Sequence, residues 1–300
     1  MPQAWLGTVA WNRASNEMML MTVELNGLVF HPVEAQTVIL GSTKGGWMYA
    51  GQRPCHEVKL PSFFVMAQPL NEREVASAMG VPLTDQVGDR PMETLTSIDV
   101  HELAQHLMES EDFKQKIEEL PGRWEVRPLT QSEWQAAAQG GILNLPPGCT
   151  ERLADAPASN HRGAMMDGRP RPNELLGPAS QHVAAIAVHP KNRNITAMTS
   201  LPHDRPLPSV VARLALSPLR EGSGKRVPET TDRWGNLRSE LLWTTLLGIV
   251  PSFLIPVLRG MGDYATEGWV NLLFGGLCAG FLTGAVWRPQ RPMLRYDDVS

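Results

Sequence analysis

Three cysteines and a few histidines are the residues of this sequence whose types are best suited to metal or nucleophilic chemistry. Cys55, Cys149 and Cys278 lie far apart and show no Cys-x-x-Cys spacing of the kind that holds zinc or forms a redox pair. Three thiols also cannot build the disulfide framework of a small secreted domain. The cysteine pattern therefore predicts no metal site and favours a reducing compartment.

The histidines predict no metal centre from their local spacing. His101 and His106 bound the segment HELAQH five positions apart, whereas the zinc-binding pair of His-Glu-x-x-His lies four apart on one helix face. His182, His189 and His203 are scattered over a region rich in proline and loops. A reworked metal or oxidase site within the loop-rich region 150–210 is the alternative that these residues leave open.

Two other catalytic motifs are absent or incomplete. The sequence has no Gly-x-Ser-x-Gly, the elbow that carries a nucleophilic serine, and GSTKGG at 41–46 lacks the spacing of a phosphate-binding loop. We therefore predict no catalytic residue, no cofactor and no bound metal. A formal net charge of −4 excludes a protein that mainly coats nucleic-acid backbone, so we expect no nucleic-acid partner.

Two long uncharged segments predict a membrane-spanning hairpin. Residues 241–258 (LLWTTLLGIVPSFLIPVL) and 269–287 (WVNLLFGGLCAGFLTGAVW) contain no charged side chain. As helices they are about 27–29 Å long, close to the ~30 Å hydrocarbon core of a bilayer. The expected location is the cell membrane, with two spans and with lipid as one partner.

The charges that flank these segments predict their orientation. Basic residues are concentrated outside the hairpin, whereas the loop 259–268 contains only Arg259. The flanking basic residues are Lys225, Arg226, Arg233, Arg238, Arg288, Arg291 and Arg295. By the positive-inside rule, both termini and the large N-terminal part of the chain face the cytoplasm.

Glycines recur every four residues in the second span, at Gly276, Gly280 and Gly284. Such a stripe allows close approach of two membrane helices. One interpretation is that the stripe packs against the first span of the same chain. The other is that it docks to another membrane protein subunit or to a second copy of this chain.

The N-terminal part contains short strands and a few helices. The apolar spacing of SIDVHELAQHLMESEDFKQKIEEL predicts one helix over Ser97–Leu120, capped by Ser97 or Asp99. Thr130 followed by Glu133 predicts a capping box that begins a helix over Gln131–Gln139. The segment EVKLPSFFVM, Glu57–Met66, predicts a strand.

The order of these motifs resembles the formylglycine-generating-enzyme family, also called sulfatase-modifying-factor domains. GQRPCHEVKL contains Arg53, Pro54 and His56 of that family's Arg-Pro-x-His-x-Val-x-Leu segment. VRPLTQSEWQAAAQGG is similar to its Arg-Leu-Pro-Thr-x-x-Glu-Trp-x-x-Ala-x-x-Gly-Gly, with Leu and Pro exchanged. This second motif supplies Arg127, Thr130, Glu133 and Trp134. We expect these side chains to support the scaffold and not to carry chemistry.

The resemblance implies an α+β, C-type-lectin-like fold with much irregular loop, to which the two transmembrane helices are added. It covers residues 25–217, the formylglycine-generating-enzyme-like domain, and leaves 1–24 as an N-terminal extension. Proline, glycine and charge without an apolar period predict a linker at 218–236. The transmembrane hairpin follows at 237–288 and the C-terminal tail at 289–300.

The resemblance also implies where an active member would hold its copper. Members that oxidise cysteine use a pair of cysteines near the end of the domain, and this sequence has no cysteine between Arg162 and Leu216. We therefore expect a pseudoenzyme, a binding or scaffold subunit of a membrane assembly. The alternative is an enzyme with the reworked site described above.

Overall fold

The computed structural model describes residues 22–81, 88, 90–144, 146–192 and 196–299. Most of the predicted N-terminal extension, 1–24, lies outside the described residues. The α+β class with much irregular loop and two long apolar helices is confirmed. The strands are β1 (Val23–Leu25), β2 (Leu28–Val33), β3 (Gln36–Leu40), β4 (His56–Leu60), β5 (Phe63–Met66), β6 (Trp124–Pro128), β7 (Thr150–Arg152), β8 (His182–Val188), β9 (Thr196–Pro202), β10 (Val210–Val211) and β11 (Leu214–Pro218).

The α-helices lie in two groups along the chain, one before residue 140 and one after residue 232. The α-helices are α1 (Glu72–Ala78), α2 (Ser97–Glu109), α3 (Glu111–Glu118), α4 (Gln131–Gln139), α5 (Arg233–Thr244), α6 (Val250–Leu258), α7 (Gly262–Glu267) and α8 (Trp269–Val286). A π-helical turn, Thr245–Ile249, joins α5 to α6 without a break.

The chain divides into two compact units, each discontinuous in sequence. The sheet unit comprises the described residues of 22–38, 59–157 and 168–223, and the hairpin unit those of 39–58, 158–167 and 224–299. The domain boundaries predicted from the sequence are consecutive. The hairpin unit therefore includes two segments that the prediction assigned to the formylglycine-generating-enzyme-like domain.

The sheet unit is built on an antiparallel sheet in the order β1-β2-β5-β11-β6. The last strand in sequence, β11, lies between β5 and β6, where Ala215 pairs with Val65 on one side and Arg127 on the other. The core of the unit contains side chains of β2, β5 and β11 together with those of α2 and α3. A second sheet has the order β10-β7-β8-β9.

The prediction of one helix over Ser97–Leu120 is wrong, because the chain breaks at Ser110. Ser110 has extended backbone, and its hydroxyl accepts a hydrogen bond from Phe113 N at 3.1 Å, which caps α3. The cap of α2 is Thr96, with Asp99 as its reciprocal partner. Ser and Thr compete well for backbone groups at such positions, so a serine followed by two acidic residues starts a new helix.

The predicted strand Glu57–Met66 is two strands, since β4 ends at Leu60 and β5 begins at Phe63. Pro61 lies at the break, and proline cannot donate to a strand ladder. The two strands belong to different sheets, because β4 pairs with β3 and β5 with β2 and β11.

In the hairpin unit, the continuous helix Arg233–Leu258 and helix α8 run antiparallel. The two helices have 26 and 18 residues, and the mean hydropathy of their most apolar windows is 2.0 and 1.6. Both are long and apolar enough to cross a membrane. Trp243, in the first half of the first helix, contacts Trp287, which follows α8, with ring centroids 5.5 Å apart. The five-residue π turn lies immediately before the turn that contains Pro251, where the missing proline N–H disturbs regular α-helical bonding.

Segments on both sides of the hairpin helices belong to the same unit. Val227, in the stretch predicted as a linker, is fully buried and exchanges backbone hydrogen bonds with Gly163 and Ala164. In the C-terminal tail, Leu294 bonds to the backbone of Cys55 and Glu57 beside β4. Both segments are therefore integral parts of this unit.

Candidate functional site

The motif of Arg127, Thr130, Glu133 and Trp134 surrounds the N-terminus of α4 in the sheet unit. Thr130 Oγ1 accepts from Glu133 N at 3.3 Å, and Glu133 Oε2 accepts from Thr130 N at 2.9 Å. The capping box predicted from the sequence is thus confirmed. These bonds satisfy backbone donors that a buried helix end would otherwise leave unpaired.

Glu133 is also the counter-ion of Arg127. Two bonds join them, Nη1 to Oε2 at 2.7 Å and Nη2 to Oε1 at 2.8 Å, and Ser217 Oγ donates to Oε1 at 2.7 Å. Burial by itself would raise the pKa of Glu133, but the Arg127 charge and these hydrogen bonds lower it below its ordinary value. The ionised form of this carboxylate is therefore favoured, and both of its oxygens accept hydrogen bonds.

Trp134 belongs to a second buried polar group. Its indole Nε1 donates to Glu151 Oε2 at 3.0 Å, and Glu151 Oε1 accepts from Arg213 Nε at 2.6 Å. Arg213 is fully buried and also donates to Ala67 O at 2.7 Å. Neither Glu151 nor Arg213 was predicted from the sequence, although a charged residue within the apolar segment VVARLAL is a recognisable signal of a buried ion pair.

Asp155 is a third buried carboxylate, and it was not predicted from the sequence. Its two oxygens accept from Gln131 N at 2.6 Å and from Arg171 N at 2.7 Å. Burial raises the pKa of Asp155 despite these bonds. The sequence contains no local signal for this role, because 24 and 16 positions separate Asp155 from its two partners.

Arg53, Pro54 and His56 lie in the hairpin unit. His56 is fully buried, and its Nδ1 is 3.1 Å from Pro54 O, so Nδ1 carries the proton and donates. His56 Nε2 is buried without a hydrogen-bond partner among the described residues. Burial lowers the pKa of His56 below its ordinary value. A neutral imidazole with one acceptor nitrogen is therefore held inside this unit.

His161 stands edge-on to His56, with ring centroids 5.3 Å apart, and its backbone N donates to Arg53 O at 3.0 Å. This pair of histidines was not predicted from the sequence, because the two residues lie more than a hundred positions apart. Within the described ranges, no group of three or more His, Cys, Asp or Glu side chains is placed to hold a metal ion.

The three cysteines occupy different environments. Cys55 is buried, and burial raises the pKa of its thiol. The pKa of the Cys149 thiol is raised by burial and by the charges of Glu93 and Glu151. Cys278 lies exposed on α8. Since the thiolate is the metal-binding form, the environments of Cys55 and Cys149 disfavour the state that would bind copper.

The predicted glycine stripe packs within the chain. A Cβ on Gly276 would lie 2.8 Å from Ile249 Cα, and one on Gly280 would lie 2.7 Å from Thr244 O. On the facing helix, a Cβ on Gly248 would overlap the backbone of Gly276. The two apolar helices therefore meet through their backbones, and the intramolecular interpretation of the stripe describes the contacts observed.

Gly284, the third member of the stripe, makes room for Arg288. The guanidinium lies where a Gly284 Cβ would stand. Arg288 is buried, its Nε donates to Glu240 Oε2 at 3.0 Å, and its Nη2 donates to Thr244 Oγ1 at 3.3 Å. This ion pair joins the first apolar helix, which contains Glu240, to the residue that follows the C-terminal end of α8.

Comparison with known proteins gives distant structural similarity only. No protein-family model matches the sequence, and no curated protein matches it. A solved structure of PvdO from Pseudomonas aeruginosa is similar over 66% of this chain and 98% of that chain, at 13% identity and a TM-score of 0.47. Variable protein 1 of Treponema denticola gives 15% identity and a TM-score of 0.46, over 66% of this chain and 99% of its own.

A crystal structure of CarF is similar over 67% of this chain and 100% of that chain, at 11% identity and a TM-score of 0.35. These neighbours have formylglycine-generating-enzyme-like or C-type-lectin-like folds. At TM-scores below 0.5, the similarities carry no argument about what this chain does.

Proposed function

We propose that this chain is a membrane-anchored, non-catalytic domain of the formylglycine-generating-enzyme type that serves as a binding or scaffold subunit of a membrane assembly. The observation that carries the proposal is the apolar hairpin, whose two helices pack against each other through a narrow glycine seam, formed by Gly248, Gly276 and Gly280. Large apolar side chains on the outer faces, such as Phe274 and Leu282, are 69% and 70% exposed. Lipid is the solvent that suits such faces.

The lengths of the helices support the anchoring role. The first helix has 26 residues and the second 18, which correspond to about 39 Å and 27 Å of helix and bracket the hydrocarbon thickness. Only 6% and 17% of their most apolar windows are buried, whereas a core helix of a soluble domain would be mostly buried. By the positive-inside rule, both termini and the sheet unit face the cytoplasm.

The contacts of the motif residues support the non-catalytic role. Arg127, Glu133 and Thr130 bond to one another, and Trp134 bonds to Glu151. Each of these side chains makes a hydrogen bond to another part of the folded chain. The assembly partner proposed is another membrane protein subunit or a second copy, and the exposed outer faces of the helices offer it a surface.

One observation favours the alternative, an enzyme with a reworked site that draws on the region 150–210. His161 lies beside His56, whose Nε2 is buried and without a hydrogen-bond partner in the described part of the chain. Two imidazoles at this separation could share a ligand. Stoichiometric metal in the purified full chain, lost in a His161→Gln variant, would favour this alternative.

Extraction of cell membranes with alkaline carbonate tests the anchor. The full chain is expected to stay in the pellet, and a variant with Leu246→Lys and Phe274→Lys is expected to shift to the supernatant, because each lysine places a charge on an apolar face. Release of the unaltered chain would overturn the anchoring role. Chemical cross-linking in membranes tests the assembly role, and a chain recovered only as an uncross-linked monomer would contradict it.

A further inference from the structure

The glycine-rich segment GSTKGG at 41–46 leads into a closed loop of the hairpin unit, which the function proposed above does not use. Ser42 N donates to Gln52 O at 2.7 Å, and this bond joins the two ends of the loop. The second half of the loop is a 3₁₀ helix, Trp47–Gln52. We call residues 42–52 the 42–52 loop. Its ends are fixed to each other by its own backbone.

The 42–52 loop lies against the C-terminal end of α8. A Cβ on Gly46 would lie 2.5 Å from Val286 O and 2.7 Å from Ala285 O, so the backbone of the loop contacts the last turn of α8 directly. Arg291 N donates to Thr43 O at 2.7 Å, which ties the loop to the chain that follows α8. The loop is therefore held at the level at which the second apolar helix ends.

Trp47 extends this contact along the outer side of α8. Its ring stands edge-on to Phe281, with centroids 4.0 Å apart. Phe281 is exposed and lies five positions before Val286, the end of α8, which is about 8 Å along the helix axis. An exposed side chain of a membrane-spanning helix faces lipid, so the indole ring that contacts it lies beside the last turns of the span. Indole rings prefer this region between hydrocarbon and water.

The residues around Trp47 suit the same region. Met48 is apolar and yet 71% exposed. Lys44 is exposed, and its Nζ lies 4.6 Å from the centre of the Tyr49 ring. A long apolar side chain, two aromatic rings and a lysine whose charged end reaches water are typical of the headgroup layer of a membrane.

The backbone of the 42–52 loop limits the depth at which it can lie. Residues 42–45 have no regular secondary structure. Hydrocarbon excludes lipid-exposed irregular backbone, because unpaired N–H and C=O groups are costly there. The headgroup layer contains water that satisfies such groups. The loop therefore suits the boundary between headgroups and acyl chains, and not the hydrocarbon core.

We propose that the 42–52 loop is a further membrane contact of this chain, in which Trp47 and Met48 insert beside α8 into the cytoplasmic leaflet. The proposal rests on the membrane anchoring proposed above. Lipid is the occupant because Trp47 continues the exposed apolar side of α8, and because the charge of Lys44 suits the anionic headgroups of this leaflet. Interfacial aromatic and basic residues set the tilt and rotation of a membrane helix, so this contact would fix the second span.

Single-cysteine variants of the full chain, labelled with a small polarity-sensitive fluorophore, measure the depth of the loop. The vesicles contain phosphatidylcholine and phosphatidylglycerol, with a nitroxide lipid that quenches at a shallow or a deep level. The test variant is Met48→Cys with all native cysteines replaced by alanine. We expect the shallow nitroxide to quench its label about twofold more than the deep one, because interfacial side chains lie ~5–10 Å into the headgroup and acyl boundary.

Two controls accompany the test variant. Native Cys278 is exposed near the midpoint of α8, and a chain that keeps it as its single cysteine should be quenched more by the deep nitroxide. Leu176→Cys is the matched aqueous control, since Leu176 is an exposed apolar residue of the sheet unit, which the anchoring proposal places in the cytoplasm. Iodide in the buffer should quench this label, and neither nitroxide lipid should.

The label at position 48 decides the proposal. Quenching by iodide as strong as at position 176 would overturn it, since the loop would then face water. A label reached neither by iodide nor by nitroxide lipids would also overturn it, since another protein surface would then cover the loop. Either result together with a quenched Cys278 label refutes this inference alone. A Cys278 label that neither nitroxide quenches refutes the proposed anchoring.

Discussion

The carboxylate of Glu133 joins two tasks, because it closes the capping box of α4 and is the counter-ion of Arg127. Its Oε2 accepts from both Thr130 N and Arg127 Nη1, at 2.9 Å and 2.7 Å. The helix start and the strand β6, which contains Arg127, are therefore held by one buried charge. These two bonds fix the start of α4 to the strand β6.

Replacement of Glu133 by glutamine is expected to destabilise the full chain by about 3–5 kcal/mol, since it leaves the buried Arg127 without its full counter-ion. Denaturant unfolding in detergent, followed by tryptophan fluorescence, measures the change. Glu111→Gln removes one partner of the exposed Lys114–Glu111 pair and should change little. Equal effects of the two variants would show that burial does not set the strength of the Arg127 pair.

Acid is expected to destabilise the hairpin unit through His56. The folded pKa of His56 lies below its ordinary value of about 6.5, so the unfolded chain binds the proton more readily. The stability that neutral His56 allows is fully present above pH ~6.5 and is lost as the pH falls through the folded pKa. Thermal unfolding of the full chain between pH 8 and pH 5 measures this loss.

His106→Gln provides the control for the acid experiment, because His106 is exposed on α2. That variant should keep the acid sensitivity of the unaltered chain between about pH 6.5 and pH 5. His56→Phe fills a similar space without a titrating group and should flatten the profile in this range. An unchanged profile in His56→Phe would contradict the assignment.

Adding a methyl group to the glycine seam is expected to separate the apolar helices. Gly280→Ala would place its Cβ 2.7 Å from Thr244 O, and we expect overpacking to cost about 1–3 kcal/mol. Gly275→Ala is the matched control, since a Cβ there meets nothing within 4 Å. Thermal unfolding in detergent compares the two variants, and equal melting temperatures would show that the seam is not closely packed.

Removing the guanidinium that closes the hairpin is expected to loosen its base. Arg288→Gln loses the ion pair to Glu240, and charge-assisted bonds of this kind contribute about 1.5–3 kcal/mol. The near-ultraviolet signal of the Trp243–Trp287 contact should weaken with it. Arg295→Gln, an exposed arginine of the tail, should leave both stability and signal unchanged. A variant Arg288→Gln with an intact signal would mean that the glycine seam alone holds the helices.

Local features of the fold follow from short stretches of sequence. The capping box of Thr130 and Glu133 needs only two residues three positions apart, and the structure contains it. The two apolar helices follow equally from uninterrupted runs of uncharged residues. The break at Ser110 was also encoded locally, as a serine before two acidic residues, but the apolar spacing on both sides of it predicted one helix.

Long-range pairs could not be predicted in this way. Arg213 and Glu151 are 62 positions apart, and Arg288 and Glu240 are 48 apart. Many carboxylates in the sequence could have formed an ion pair with each arginine, and composition does not show which of them does. Only the order of strands in the sheet and the antiparallel contact of the helices bring the observed partners together.

The amino-acid sequence by itself determined the positions of the apolar helices, the glycines that let them approach and the caps of the short helices, because these depend on neighbours within a few residues. The tertiary structure alone decided that Gly276 and Gly280 meet the first apolar helix, and that Arg288 pairs with Glu240. Those contacts join segments that are remote in the chain, and the physical reason is that packing of whole elements, not local propensity, sets which remote side chains become neighbours.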